Sequence, residues 1–549
     1  MSCSSGADIR ILEPAWEMTM RNRLAYTIAL LVIVFLGACS TLPPGADFPK
    51  TTTTAFAHPE NTLLGQNFAT AAYANQGNSG FRIIQAGADG FLMRMQMIQA
   101  AQRTVDLQYY IFHGDETGRL LTGALISAAD RGVRIRVLVD DGETEVGDEQ
   151  ITLLEAHPSI EIRIFNPFAY RGHSQFLRAT EFLFNARRLD YRMHDKLLVV
   201  DNSIALIGGR NIGDQYFQID PDSQFADDDM FATGPITQNL SATFDEFWNS
   251  HLSIPSKALT AEKPTMPELN DHRNELKKET RQLKNDGVDF VKRVASGEPF
   301  NSILSGRLPL VWAHAQLVAD SPDKKKVENG EMVGRLMHRA VAKAAVEVQS
   351  ELLMVSPYLI PGTEGMQIFD DLRARDVRVR ILTNSLESST EILAQAGYMH
   401  YRKPLLKEGV ELYEIRSLLG NTKGSGETSK ISNYGNYSLH GKLFVFDRKR
   451  LFIGSMNFDQ RSSHLNTEIG LIIDSPELAQ QVAARFDAMT QPANSYQLNL
   501  IRNDVDRESL VWETLENKMP VEYEVEPARS DWQRDKADIL SWLPLDSEL

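Results

Sequence analysis

The chain has 549 residues, a formal charge of −16 and a pI near 5.3. That length accommodates two domains with full apolar cores, and the acidic balance excludes a protein whose affinity comes from neutralising polyanionic nucleic acid, which needs clustered Lys and Arg. With Cys3 and Cys39 as the only cysteines, no disulfide framework supports the fold.

Residues 1–39 read as a secretory signal segment. Arg21 and Arg23 precede an apolar run from Leu24 to Leu36, and the small residues Gly37 and Ala38 lead to Cys39, a layout similar to the lipobox of bacterial lipoproteins. The run is shorter than the roughly 20 residues of a spanning helix, so a cleaved signal with an acylated Cys39 fits better than a transmembrane anchor. Asp8, Glu13 and Glu17 stand ahead of the Arg pair, unlike a signal n-region, which favours a translation start at Met20. Residues 40–61, rich in Pro, Thr and Ala, form an extended tether, with a lead-in up to residue 80. Ser40 after Cys39 implies, under enteric-type lipoprotein sorting, an outer-membrane anchor with the body facing the periplasm of a bacterial envelope.

The body, expected as units over 81–255 and 308–490, repeats one plan. Residues 106–140 and 354–384 each run from an apolar strand ending near Tyr110 or Tyr358, through a turn at Gly114 or Gly362 and an amphipathic helix, into an alternating basic strand. Strand, helix, strand in that order predicts parallel pairing with right-handed crossovers. The expected fold class is therefore α/β: two tandem units, each a mixed, mostly parallel sheet flanked by helices.

Each unit then carries a six-position motif at one internal spacing: His194, Lys196, Asp201, Gly208, Gly209 and Asn211, and again His440, Lys442, Asp447, Gly454, Ser455 and Asn457. Six matched positions, repeated, make chance a poor explanation and imply that a domain-sized unit was duplicated. Residues 256–307, between the units, are highly charged with mixed signs and read as an exposed helical insertion. Residues 418–437, rich in Gly, Ser and Asn, form a loop beside the second motif, either a substrate-contact lid or a plain surface loop. The extension 491–549 ends in an amphipathic stretch with Trp532, Ile539, Leu540, Trp542 and Leu543, expected to dock on the core, with lipid contact as the alternative.

The residue types suit phosphodiester chemistry. Side chains two apart on a strand share a face, so each His projects with its Lys. The small pairs Gly208–Gly209 and Gly454–Ser455 let backbone N–H groups approach an anion, and Asn211 and Asn457 add amide donors. Two units with the active site at their interface supply two ammonium groups to clamp charge on phosphoryl oxygens, and two imidazoles to act as nucleophile and as general acid and base. Asp201 and Asp447 complete the expected catalytic set. A nucleophilic imidazole needs its second nitrogen to donate to a carboxylate. Glu468 is expected to orient His440 within the second unit, and Asp227, the first of three consecutive acids, to orient His194 within the first. No metal is expected, because there is no HExxH or paired Cys and a motif Lys repels cations. No cofactor is expected either.

At these residues the segments MHDKLLVVDNSIALIGGRN and LHGKLFVFDRKRLFIGSMN resemble the paired signatures of the phospholipase D superfamily. Together with QYYIFHGDETGRLL, DDDMFATGP and GSMNFDQRSSHLNTEIG they are most similar to bacterial cardiolipin synthases of the C type, over roughly Phe81 to Arg485. The resemblance implies transfer of a phosphatidyl group between membrane phospholipids, with phosphatidylglycerol and phosphatidylethanolamine as the pair, through a covalent phosphatidyl-histidine. Analogy with the superfamily favours His194 as nucleophile and His440 as acid and base. A hydrolase releasing phosphatidic acid, or a nuclease of the same fold, shares that intermediate and is the alternative. The expected partners are membrane phospholipids and a membrane surface, not nucleic acid; the sequence leaves the oligomeric state open.

Overall fold

The computed structural model describes residues 43–142, 153–172, 174–218, 224–260, 263–285, 298–419, 437–502 and 508–543. The signal segment with Met20, Cys39 and Ser40, and nearly all of the loop 418–437, lie outside the described residues.

Apolar, β-branched runs set the strands. In the first unit these are β1 (Ser79–Ile84), β2 (Thr104–Tyr109), β3 (Arg134–Asp140), β4 (Ile160–Phe165), β5 (Lys196–Val200), β6 (Ile204–Gly208), β7 (Gln224–Ala226), β8 (Asp229–Thr233) and β9 (Ser253–Pro255). The second unit, after β10 (Val311–Ala319), has β11 (Glu351–Val355), β12 (Arg378–Asn384), β13 (Glu411–Ile415), β14 (Tyr437–Leu439), β15 (Leu443–Phe446), β16 (Arg450–Gly454) and β17 (Ile469–Asp474), then β18 (Ser495–Arg502), β19 (Glu508–Glu516) and β20 (Met519–Tyr523). The first unit's sheet runs β9-β4-β3-β2-β5-β6-β8-β1, and the second repeats it as β18-β13-β12-β11-β15-β16-β17-β10. The duplication read from the motifs is thus a duplication of strand order. Antiparallel pairing of β1 with β10 makes the two one 18-stranded sheet.

The sheet is mixed, but its parallel part is smaller than the sequence suggested. Within it only β2–β3–β4 and β11–β12–β13 pair in parallel, and the remaining neighbours are antiparallel. The reason is local. Asp201 and Asn202 have φ of 52° and 49°, and Asp447 and Arg448 have φ of 53° each, the left-handed pair at the centre of a tight hairpin turn. Such a turn forces β5–β6 and β15–β16 to be antiparallel, whereas the strand–helix–strand segments upstream have the long crossovers that parallel pairing needs.

Those crossover helices are Glu116–Asp130, capped by Asp115 accepting from the Gly118 N–H at 3.1 Å, and Gly362–Ala374. The first exits through Gly132 at φ 88°, the second through Asp376 at φ 58°. Helices Pro235–Asn249 and Pro476–Met489 lie on the faces that the two units turn toward each other. Their Phe244, Phe247, Trp248, Val482 and Phe486 join Leu197, Val199, Ile207, Leu443, Val445 and Ile453 in one buried core. Because both motif hairpins contribute to this core, their relative position is fixed by close packing.

The charged insertion contains helix Met266–Asn285, which rests on the first unit through buried Leu269 and Leu276 and an Arg273–Asp130 pair at 2.9 Å. Helix Asp531–Ser541 docks through Ala537 beside Leu386 and Ala528, and leaves Trp532, Ile539 and Trp542 exposed. Among the described residues no helix is long and apolar enough to cross a membrane.

Candidate active site

Each motif His sits just ahead of its strand, at the seam between the units, and each is laced to the other unit by backbone hydrogen bonds. The His194 N–H donates to the Thr467 carbonyl at 3.0 Å and the Thr467 N–H to the Arg192 carbonyl at 2.9 Å. Symmetrically, β14 runs parallel to β7, and the N–H groups of His440 and Gly441 donate to the Ala226 carbonyl at 2.8 and 2.9 Å. The chain following one motif therefore lies beside the chain entering the other.

This lacing decides which carboxylate meets which ring. Nδ1 of His194 is 3.0 Å from both carboxylate oxygens of Glu468, and Nδ1 of His440 is 2.5 Å from Oδ2 of Asp227. Asp227 and Glu468 are both at the rings, but the pairing expected within each unit is crossed. The sequence placed each acid after its own motif; backbone pairing between units carries it to the opposite one. The three consecutive acids also separate. Asp228 pairs with Arg485 of the second unit, and Asp229 is held by Arg94 at 2.8 Å and Arg210 at 2.9 Å.

Six buried side chains thus converge. His194 and His440 are each 7 % exposed while Lys196, Lys442, Asp227 and Glu468 are at 1 % or below, so the imidazoles are what a substrate can reach. Each Lys reaches back to its own His, whose carbonyl accepts from the ammonium, and Lys442 Nζ lies 3.0 Å from Nδ1 of His440. Burial, reinforced by Lys196 and Lys442, holds the His194 ring well below the usual imidazole range. Burial and Lys442 bring His440 down to about 3, so both rings are neutral near pH 7. Burial lowers Lys196 to about 7 and Lys442 to about 8. The carboxylates differ. Burial raises Glu468 to about 7, whereas at Asp227 the effect of burial is outweighed by His440, Lys442 and Arg210, which keep it below the ordinary range.

Other expected site residues have different roles. Asp201 accepts the N–H groups of Gln102, Arg103 and Thr104 at 2.7–2.9 Å, and Asp447 those of Gln349, Ser350 and Glu351. Both lie seven residues beyond the motif His, about 20 Å along extended chain. They fix the start of β2 and β11 and do not belong to the catalytic set. The small pairs do not form an anion cradle either, because the N–H of Gly209 donates to Asp228 and that of Ser455 to Ile469. Their size serves the crossing carboxylates: a Cβ at Gly209 would lie 2.3 Å from Oδ1 of Asp227, and Oγ of Ser455 donates to Glu468 at 2.5 Å. A Cβ at Gly208 would meet the Asp228 carbonyl at 2.3 Å, and one at Gly454 the Ile469 carbonyl at 2.5 Å, so close strand pairing explains both. Asn211 donates to the Tyr216 hydroxyl at 3.0 Å, and Oδ1 of Asn457 is buried without a hydrogen-bond partner among the described residues.

Sequence reasoning missed the aromatic walls. Tyr110 meets His194 edge-on at 5.0 Å, while Tyr216 and Phe225 flank His440 at 5.1 Å each. Tyr110 stood out only as a strand end, and nothing local marks Phe225 apart from its place two residues before Asp227. Buried Asp459, raised to about 7 by burial, also borders the site and was not foreseen. The one group with metal-ligating geometry among the described residues, Glu328, His338 and His464, shares no residue with this constellation.

The fold and the paired rings define the class. A family model described as "Cardiolipin synthase, PLD-like domain" matches residues 95–248 and 342–490, one match per unit, and the chain belongs to this family of the phospholipase D superfamily. It is 34% identical over 479 residues to cardiolipin synthase C of Escherichia coli (strain K12), covering 86% of this chain and 96% of that protein. An uncharacterized protein of Helicobacter pylori (strain ATCC 700392 / 26695) is 32% identical over 479 residues, with 87% and 91% covered. Among solved structures, a phosphatidylserine synthase of Haemophilus influenzae Rd KW20 shares the fold, with a TM-score of 0.50 at 13% identity over 79% of this chain and 92% of that one.

Proposed function

We propose that the chain is a phospholipid phosphatidyltransferase that makes cardiolipin through a phosphatidyl-histidine, from phosphatidylglycerol and phosphatidylethanolamine. The observation that carries the mechanism is the crossed pair of His–carboxylate contacts with two Lys beside them. Neutral His194, donating Nδ1–H to Glu468, has its lone pair on Nε2. That nitrogen attacks phosphorus, and the bond from phosphorus to the departing headgroup oxygen breaks. His440 protonates that oxygen. The anionic diester raises the negative charge beside Asp227, the condition under which His440 takes up the proton it delivers. In the second step neutral His440 removes the proton of an incoming hydroxyl, whose oxygen displaces the histidine. Lys196 and Lys442 offset charge on the phosphoryl oxygens throughout.

The two acids support this division of roles. Asp227, held ionised, favours a ring that must carry charge, whereas Glu468, raised to about 7, suits a ring that reacts neutral. A bilayer location through acylated Cys39, in the outer membrane and facing the periplasm, belongs to the same reading and rests on the sequence of residues 20–40. Incubating purified protein with vesicles of phosphatidylglycerol and phosphatidylethanolamine, followed by lipid mass analysis, tests it. Cardiolipin is expected. Phosphatidic acid alone would make the chain a hydrolase, and unchanged lipid would overturn the proposal.

A further inference from the structure

Helix Gln175–Leu189 leads into His194 through Tyr191–Met193, and of its residues only Leu189 is buried. Phe176, Leu177, Leu183 and Phe184 are 78, 46, 77 and 43% exposed. Their spacing, with Thr180 between, places them on one face of the helix. Arg178 and Glu181 on the opposite face, and Arg188 beyond a kink at Asn185, hold the body of the protein. Glu181 accepts the N–H groups of Ala169 and Tyr170 at 2.7 and 2.8 Å, and Arg188 donates to Asn166 Oδ1 and the Pro167 carbonyl at 2.8 Å. The helix therefore has a fixed orientation, polar side inward and apolar side out, the reverse of a helix that serves a core.

Two further observations indicate what covers it. Arg187, beyond the kink, is exposed, and Nζ of Lys325 donates to the Arg187 carbonyl at 3.2 Å. Neither has a carboxylate partner among the described residues, although the whole chain carries −16. The helix is also joined to the catalytic centre: Arg178 donates to the Asp141 carbonyl, and neighbouring Asp140 accepts from Arg192 at 3.0 Å and from the Met193 N–H at 2.8 Å, next to His194. An apolar stripe ending in Arg187 and Lys325 complements the acyl boundary and the phosphates of an anionic bilayer.

We infer that helix Gln175–Leu189 lies in the interface of an anionic phospholipid bilayer and delivers lipid headgroups to the His194 side of the site. This rests on the lipid-transfer reading above. Amide hydrogen exchange of the full chain, with and without vesicles of phosphatidylglycerol and phosphatidylethanolamine, tests it directly. Exchange over 175–185 is expected to slow about tenfold with those vesicles and little with phosphatidylcholine alone. Phe176→Ser with Leu183→Ser should cut turnover of vesicle lipid about tenfold, yet change turnover of dispersed short-chain phosphatidylglycerol less than about twofold, as exposed substitutions do. Unchanged exchange over 175–185 in vesicle-bound protein would overturn the inference. So would slowing confined to helix Asp531–Ser541, slowing that follows protein concentration without lipid, or equal loss on both substrates. Slowed exchange with no lipid product would uphold the bilayer contact and count against phosphatidyl transfer.

Discussion

The chemistry depends on two rings that burial makes weak bases and on two ammonium groups that burial brings close to losing their charge near neutral pH. Replacing His440 by Ala should lower turnover by about 10²- to 10⁴-fold, the span of lost acid–base catalysis, and replacing the nucleophile His194 by at least as much, each with an unchanged circular-dichroism spectrum; residual activity within tenfold of wild type would contradict the paired site. The pH profile follows from the Lys groups. They clamp phosphate only when protonated, so kcat/KM should fall as pH rises through about 7 to 8, where Lys196 and Lys442 lose their charge. Proton uptake by His440 on binding acts in the same direction. A profile still rising above pH 8 would exclude this clamp. Gly209→Ala separates the two readings of the small pair: a cradle role predicts weaker substrate binding alone, whereas contact with Asp227 predicts a kcat loss through a displaced carboxylate.

At the scale of elements, the motif Asp is part of a hairpin rather than of the site. Asp201→Ala leaves three N–H groups, that of Thr104 buried, without their charged acceptor and should destabilise the protein by about 2 kcal/mol, measured by denaturant unfolding, while turnover per folded molecule stays near wild type. Asp447→Ala, at a position that solvent partly reaches, should cost less. The strands and crossover helix of each unit were legible because apolar runs and turn residues are local signals. The antiparallel majority was misjudged because the strand–helix–strand segments are longer and more conspicuous than hairpins closed by Asp201–Asn202 and Asp447–Arg448, which lack the Asn-Gly or Asp-Gly signature.

Across the whole molecule, each ring depends on the other unit. Asp227→Asn should shift the titration of His440 in NMR spectra of labelled imidazoles and leave that of His194 nearly unmoved; the opposite result would restore pairing within units. Turnover should also survive EDTA, because the positive clamp is Lys196 and Lys442; complete loss restored by one divalent ion would refute it.

By itself the sequence determined the duplication, the α/β class and the two His–Lys pairs, because each is written in residue type and spacing along the chain, and it singled out Asp227 and Glu468 as candidate acids. Only the tertiary structure decided which acid serves which ring, why Gly209 and Ser455 are small, that Asp201 and Asp447 lie outside the site, and which aromatics wall it. The crossing of the two acids depends on backbone pairing between residues more than two hundred positions apart, Met193 with Thr467 and Leu439 with Ala226. No local pattern encodes such pairing, because it forms only when two apolar faces close into one core.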